Sequence, residues 1–238
     1  MRLIPHLVLL LSALLGGLSL IGFGLFLAVG PFEIVPLGLG PKTVLAWDAG
    51  LCVVFFVQHS AMIRRPFRER LGRAMPAHYY PAVYSIATGI VLFLLLGLWQ
   101  RSHLVLVSVE GPLRWVLRGL FLATGPAFLW AIRALGSFDT FGLQPIRAHL
   151  RGTAPRSLPL AIRGPYLWVR HPLYSFLLVM IWTCPDITAD RLLFAVLFTG
   201  WIVLGTVLEE RDLVREFGDP YREYQKQVPM LVPWRVPA

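Results

Sequence analysis

The chain has 238 residues, of which 56% are hydrophobic and only 15% are charged, whereas soluble domains are about a quarter charged. Long apolar stretches alternate with short arginine-rich ones, which excludes a single soluble core and indicates several bilayer spans joined by brief loops. The net charge of +9 is explained by these loops, so no nucleic-acid partner is predicted. Two scattered cysteines, Cys52 and Cys184, predict neither a disulfide framework nor a metal site.

Residues 3–29 form the first apolar segment, which contains one titratable side chain, His6. It is longer than the apolar core of a signal peptide, so it is predicted to be a retained membrane helix. Five further apolar runs follow at about 43–63, 80–99, 115–135, 172–184 and 187–208. The fifth is too short to cross the hydrocarbon as an untilted helix of about 20 residues. The sequence therefore predicts an all-α, polytopic transmembrane bundle in which the fifth segment forms a hairpin with the sixth.

The distribution of positive charge predicts the orientation. Arg2, loop 64–73, segment 133–170 and the tail from 211 carry 17 of the 22 Arg and Lys residues. The positive-inside rule places these parts, and both termini, in the cytoplasm, in agreement with six crossings. We expect four transmembrane helices in residues 1–135. Residues 136–238 are expected to contain a loop, the helical hairpin and a cytosolic tail, with the last long helix ending near Gly218.

Segment 163–174 reads Arg-Gly-Pro-Tyr-Leu-Trp-Val-Arg-His-Pro-Leu-Tyr. Pro172 suits the first position of a helix, whose unpaired amides and partial positive charge favour an anionic group. Arg170 would reinforce that preference. The alternative is an interfacial loop whose Arg side chains meet lipid head groups and whose Trp168 belongs to an aromatic belt.

Two adjacent carboxylates, Glu209 and Glu210, lie at the cytoplasmic end of the sixth span. Carboxylates at a membrane edge are costly unless they are solvated, paired or facing a polar cavity. A solvated helix exit is one explanation. The short hairpin favours another, in which a carboxylate faces His171 and binds polar groups of a ligand.

The second span carries its own ionisable pair. Asp48 and His59 are eleven residues apart and therefore lie about 20° from one another around a helix. Intramembrane ionisable groups usually face a cavity or a partner. The alternative is a buried pair that only fixes packing. Asp139 and His149 follow the fourth span and would by themselves be loop residues.

The C-terminal motifs GPYLWVRHPLY and LEERDLVREFGDPYREYQKQVPMLVP resemble those of the isoprenylcysteine carboxyl methyltransferase family and its phospholipid-methyltransferase relatives. The shared order is Arg-His-Pro-x-Tyr, a hairpin, Glu-Glu, Phe-Gly-x-x-Tyr-x-x-Tyr and Val-Pro. The resemblance implies that residues 136–238 are a catalytic half that binds S-adenosylmethionine at the cytoplasmic face. The residues implied in cofactor binding are Gly164, Tyr166, Arg170, His171, Tyr174, Glu209, Glu210, Tyr221 and Tyr224.

Two motifs outside the C-terminal region restrict the resemblance to a smaller group of enzymes. Residues 58–67 (QHSAMIRRPF) and 138–152 (FDTFGLQPIRAHLRG) are similar to bacterial methanethiol S-methyltransferases, which make dimethyl sulfide. The Gln-His-Ser motif also occurs in membrane proteins linked to gas metabolism in denitrifying bacteria. The resemblance implies a catalytic set of His59, His171 and Asp139, and substrate-binding roles for Asp48, Gln58, His59 and His149.

The implied activity is S-adenosylmethionine-dependent methylation of a small thiol in a bacterial inner membrane, with the active site toward the cytoplasm. The expected partners are the thiol and the bilayer, with no obligate protein partner. Three alternatives stay open: a prenylcysteine carboxylate or phospholipid amine as acceptor, a membrane reductase that uses a reduced nicotinamide, and a non-catalytic accessory protein.

Overall fold

The computed structural model describes residues 3–136, 138–154 and 159–235; Arg2 and Arg156, which contribute to the charge asymmetry, lie outside them. The helices within this part are α1 (Leu3–Val29), α2 (Pro41–Ile63), α3 (Arg65–Gly72), α4 (Tyr80–Leu98), α5 (Gly111–Leu135), α6 (Gln144–Leu150), α7 (Pro172–Trp182), α8 (Ala189–Phe217) and α9 (Asp219–Gln227). Short 3₁₀ turns span Ala77–Tyr79 and Gly164–Leu167, and two strands are β1 (Val105–Ser108) and β2 (Asp186–Thr188).

Within the part of the chain that the structure describes, five helical stretches are long and apolar enough to cross a membrane: α1, α2, Ala77–Leu98, α5 and α8. The predicted short fifth segment is α7, an apolar helix of 11 residues. The predicted all-α membrane bundle is therefore confirmed, and the chain is a multi-pass integral membrane protein. Helix α8 ends at Phe217, and Gly218 follows it with a φ of 65°, a backbone conformation that favours glycine at a helix terminus.

The small antiparallel sheet is an addition to the predicted architecture. Val105 pairs with Thr188, and Ser108 pairs with Asp186. Asp186 also accepts hydrogen bonds at 2.8 Å from Ser108 Oγ and from Arg114 Nη1. The bond with Arg114 holds the pKa of the Asp186 carboxyl below its usual range. Only four residues form β1, so a run this short gave little periodic signal in the sequence.

The described residues group into two compact units. The first draws on 1–103, 139–157 and 189–194, and the second on 104–138, 158–188 and 195–238.

In the first unit, α1 and α4 approach closely at small residues. A Cβ placed on Gly89 would lie 2.8 Å from the carbonyl oxygen of Leu15. A Cβ on Gly16 would lie 2.7 Å from Ser85 Oγ. Small residues allow such backbone proximity between membrane helices, where van der Waals packing drives association. These glycines therefore set the spacing of the two helices.

The loop before α6 packs on this helix pair. Ser12 Oγ, on α1, donates a hydrogen bond to the carbonyl oxygen of Phe141 at 2.5 Å. Gly142 has a φ of 67°, and a Cβ there would lie 2.5 Å from the backbone nitrogen of Ala82. The absence of a side chain at residue 142 therefore permits both the turn and the contact with α4.

We expect Gly142→Ala to destabilise the protein by about 1–3 kcal/mol, because alanine is strained at positive φ and the neighbouring atoms are backbone. Thermal unfolding in detergent measures the effect. Gly119→Ala on α5 is the matched control, since a Cβ there meets nothing within 4 Å, and it should leave stability unchanged or raise it by up to about 1 kcal/mol. Equal stability of the two variants would contradict the assignment.

Candidate active site

Glu210 is the centre of a buried hydrogen-bond network in the second unit. It lies near the C-terminal end of α8 and is 7% exposed. Arg170 binds it with two hydrogen bonds, Nε to Oε1 and Nη2 to Oε2, each 2.8 Å long. His171 Nε2, Tyr221 and Gln225 also donate to this carboxylate. A charged carboxylate is tolerated in such a buried position because every oxygen has charged or polar donors.

The chain after α9 is fixed to the start of α7. The backbone nitrogen of Arg170 donates to Pro229 O at 2.9 Å, and that of His171 donates to Met230 O at 3.1 Å. Ser175 Oγ adds a bond to Leu231 O at 2.7 Å. Together with Glu210, these contacts hold α7, the end of α8 and the tail as one assembly.

Two tyrosines of α9 attach that helix to this assembly through hydrogen bonds. Tyr221 donates to Glu210 Oε1 at 2.8 Å, and Tyr224 donates to the carbonyl oxygen of Tyr166 at 2.5 Å. Burial and the bond to Glu210 raise the pKa of Tyr221, and burial raises the pKa of Tyr166 and of Tyr224. Both α9 hydroxyls therefore stay protonated and serve as donors, which gives these residues a structural role in addition to any contact with a ligand.

Glu209 differs from its neighbour because 43% of its side chain is exposed. Tyr174 donates to Glu209 Oε2 at 2.8 Å, and His171 Nδ1 lies 3.9 Å from the same oxygen. The rings of His171 and Tyr174 stack at a centroid distance of 5.7 Å. The site thus presents one oriented, accessible carboxylate beside the partly exposed ring of Tyr174, a combination suited to hydroxyl donors and organic cations.

Gly164 positions the loop before α7. Its φ is 59°, and a Cβ there would lie 3.1 Å from Trp130 Nε1 on α5. The adjacent Arg163 donates from Nε to Ala134 O at 2.5 Å. Gly164 therefore acts through backbone conformation and close packing, while its predicted contact with a cofactor stays a prediction.

Gln225 and Ser175 are site residues that the sequence reasoning missed. Gln225 is one helical turn after Tyr221, so both reach the same carboxylate. That spacing is a usable signal once Glu210 is known to be the target. Ser175 gave no signal, because its partner is a backbone carbonyl far along the chain.

A polar cluster between α2 and α4 belongs to the first unit. Tyr84 Oη lies 2.8 Å from His59 Nε2. Gln58 Nε2 donates to Met62 Sδ at 3.1 Å and to Thr88 Oγ1 at 3.4 Å. The sequence reasoning identified Gln58 and His59 but missed their two α4 partners, which are spaced one helical turn apart on an otherwise apolar helix.

Asp48 and His59 have different partners in the structure. Asp48 is fully buried, and its Oδ1 accepts a hydrogen bond from the Gln100 backbone nitrogen at 2.9 Å. The two α2 residues are separated by about 16 Å along the helix at 1.5 Å per residue. Asp48 thus makes the buried, packing-type contact that was the alternative to a ligand role.

Asp139 and His149 lie at opposite ends of α6. The Asp139 carboxylate accepts hydrogen bonds from the backbone nitrogens of Leu143 and Gln144, at 2.9 and 2.8 Å, and thereby satisfies amides at the start of that helix. The ring of His149 stacks on that of His78 at 3.9 Å. Asp139 and His59 belong to the first unit and His171 to the second, so the predicted catalytic set is divided between the units.

Comparison with known proteins identifies a family for this architecture. A family model described as NnrU protein matches residues 49–234. A methanethiol S-methyltransferase of a Pseudomonas strain is 38% identical over 228 residues, covering 93% of this chain and 86% of the relative. A protein of the same name from Mycobacterium tuberculosis is 35% identical and covers 76% of this chain and 75% of the relative. Rat Nurim is 27% identical over 71% of this chain and 68% of the relative. No solved structure matches the chain.

Proposed function

The chain belongs to the NnrU protein family and is related over most of its length to bacterial methanethiol S-methyltransferases. We propose that it methylates methanethiol to dimethyl sulfide with S-adenosylmethionine as donor. The observation that carries the proposal is 38% identity to a protein of that name over 93% of this chain. Such relatives imply a methyl donor. We infer that the protein lies in the inner membrane of a bacterium. We also infer that its site faces the cytoplasm, where the polar methyl donor is available.

The residues around Glu209 fit S-adenosylmethionine. This molecule carries hydroxyl and ammonium groups, whose hydrogen bonds the 43% exposed carboxylate of Glu209 can accept. It also carries a sulfonium cation, which suits the partly exposed ring of Tyr174. Its methyl group is already activated by the positive sulfur. The other predicted cofactor residues support this arrangement: Arg170, Glu210, Tyr221 and Tyr224 hold the assembly together, while Gly164 and Tyr166 fix the preceding turn.

The chain's own contribution to the reaction is alignment, exclusion of water and acceptance of a proton. The thiolate is the reactive form of a thiol, so a nearby base assists the reaction. His59 and His171 are the two candidates. An ionised carboxylate can only accept hydrogen bonds, so His171 Nε2 donates to Glu210. The ring nitrogen of His171 that can accept a proton is therefore Nδ1. We propose that Asp139 contributes indirectly, by fixing the start of α6. For the thiol, we propose contacts with Gln58, His59 and His149. The predicted contact with Asp48 is not proposed for the same small molecule, because Asp48 lies about 16 Å from His59 along α2.

The decisive experiment incubates the purified protein in detergent or nanodiscs with S-adenosylmethionine and methanethiol and measures dimethyl sulfide in the headspace. We expect time-dependent product that requires both compounds and is absent after heat inactivation. Methylation of a lipid or a prenylated peptide without dimethyl sulfide would reassign the acceptor. Binding of reduced nicotinamide, without binding of S-adenosylhomocysteine, would reject methyl transfer.

A further inference from the structure

The polar cluster between α2 and α4 consists of Gln58, His59, Tyr84 and Thr88, and we term it the α2–α4 cluster. It lies on two helices that are otherwise apolar enough to span a membrane. Polar side chains within spans are costly unless they bind each other or a ligand. The four side chains form two hydrogen-bonded pairs, Tyr84 with His59 and Gln58 with Thr88, and one side-chain oxygen has no partner.

That oxygen is Gln58 Oε1. Among the residues that the structure describes, Gln58 Oε1 and Asp48 Oδ2 are the buried side-chain atoms that have no hydrogen-bond partner. A buried acceptor without a partner is unfavourable, because it has lost its hydrogen bonds to water and gained none in the protein. A small ligand that donates a hydrogen bond to Gln58 Oε1 would remove this cost.

The orientation of the Gln58 carboxamide is chemically determined. A thioether sulfur cannot donate a hydrogen bond, so the atom 3.1 Å from Met62 Sδ must be the Gln58 nitrogen. The same nitrogen lies 3.4 Å from Thr88 Oγ1. Both contacts therefore point the NH2 group at protein atoms and leave the oxygen as the group without a hydrogen-bond partner. If the oxygen and nitrogen of the Gln58 amide were exchanged, two acceptors, the amide oxygen and the Met62 sulfur, would face each other.

We propose that the α2–α4 cluster is the binding site of the thiol, that Gln58 Oε1 accepts its S–H, and that Thr88 and Tyr84 are the positioning residues. This inference rests on the proposed function. The chemistry fits because a small thiol combines a weak donor with an apolar body, which matches one free acceptor within an apolar helix pair. Thr88 holds the Gln58 amide, and Tyr84 holds the His59 ring through the 2.8 Å contact at Nε2.

The first test uses the wild-type protein alone. Infrared difference spectra of methanethiol bound without donor should show an S–H stretching band at lower frequency than in an apolar solvent, because a hydrogen bond weakens the S–H bond. Gln58→Met, which keeps the length of the side chain but has no oxygen acceptor, should return the band to the apolar-solvent position. An unshifted band in the wild-type protein overturns the inference without reference to any variant.

The second test separates binding from the chemical step. We expect Thr88→Val to raise the KM for methanethiol about tenfold, an effect of the size of one lost hydrogen bond, while the affinity for S-adenosylhomocysteine stays unchanged. Thr88→Ser should restore the KM. Tyr84→Phe should reduce kcat/KM about tenfold with the same donor affinity. The matched control is Thr124→Val on α5, whose hydroxyl binds a carbonyl of its own helix.

The outcomes distinguish the two proposals. If the wild-type protein makes no dimethyl sulfide, the proposed function fails. If it makes dimethyl sulfide while Thr88→Val, Tyr84→Phe and Gln58→Met keep wild-type kinetics, the proposed function stands and the thiol site is elsewhere. Retained binding of S-adenosylhomocysteine and a helical circular dichroism spectrum show that each variant has folded.

Discussion

Glu210→Ala is expected to cause the largest loss of stability among single substitutions in the site, about 3–5 kcal/mol, and to abolish activity. The cause is that Arg170, the partner of Glu210, remains in place. The Arg170 side chain is only 10% exposed, so without the carboxylate its guanidinium stays buried without a counter-charge and keeps only its hydrogen bonds to the carbonyl oxygens of Gln225 and Val228. His171, Tyr221 and Gln225 lose an acceptor at the same time. Glu210→Gln should be less damaging, since the amide oxygen still accepts hydrogen bonds.

Thermal or denaturant unfolding in detergent, followed by tyrosine and tryptophan fluorescence, measures this effect. Glu216→Ala is the matched control because Glu216 is exposed on the same helix, and its loss should change stability by less than about 0.5 kcal/mol. A stable Glu210→Ala protein that has only lost donor affinity would show that Glu210 binds the ligand directly, and the structural role assigned to it would be wrong.

The membrane architecture could be predicted from the sequence because each span is a long apolar run bounded by arginine or proline. The same applies to the end of α8, where Gly218 and Asp219-Pro220 interrupt the helical pattern. The association of α7 with the end of α8 also followed from the short connection between them. In the structure, the bond between His171 and Glu210 joins the start of one helix to the end of the other.

The sequence could not show that Glu210 is the buried partner of Arg170 while Glu209 is accessible. Adjacent residues on a helix point about 100° apart, and no periodic signal shows which one turns toward Arg170. The missing information lies in tertiary contacts made by α9 and the tail after it. Tyr84 and Thr88 could not be predicted either. The sequence of one membrane helix does not show which of its polar residues face a Gln-His pair on another helix.

Glu209→Ala is expected to weaken binding of S-adenosylhomocysteine about 10- to 100-fold, which corresponds to the loss of hydrogen bonds to a charged group worth about 1.5–3 kcal/mol. Stability should change by less than about 1 kcal/mol, because the side chain is 43% exposed and the residue it releases, Tyr174, can then hydrogen bond to water. Isothermal titration calorimetry gives the affinity, and unfolding in the same detergent gives the stability.

The contrast between the two neighbouring carboxylates makes the assignment testable. Glu209→Gln keeps an acceptor for Tyr174 but removes the charge, so it should retain stability and lose affinity in proportion to the electrostatic part of binding. Tyr174→Phe, which leaves the carboxylate in place without its 2.8 Å donor, should weaken binding less than Glu209→Ala. If Glu209→Ala binds S-adenosylhomocysteine as tightly as the wild-type protein, the accessible carboxylate does not contact the donor. The partly exposed ring of Tyr174 would then have to bind the sulfonium without a counter-charge, which is a weaker arrangement for a cation.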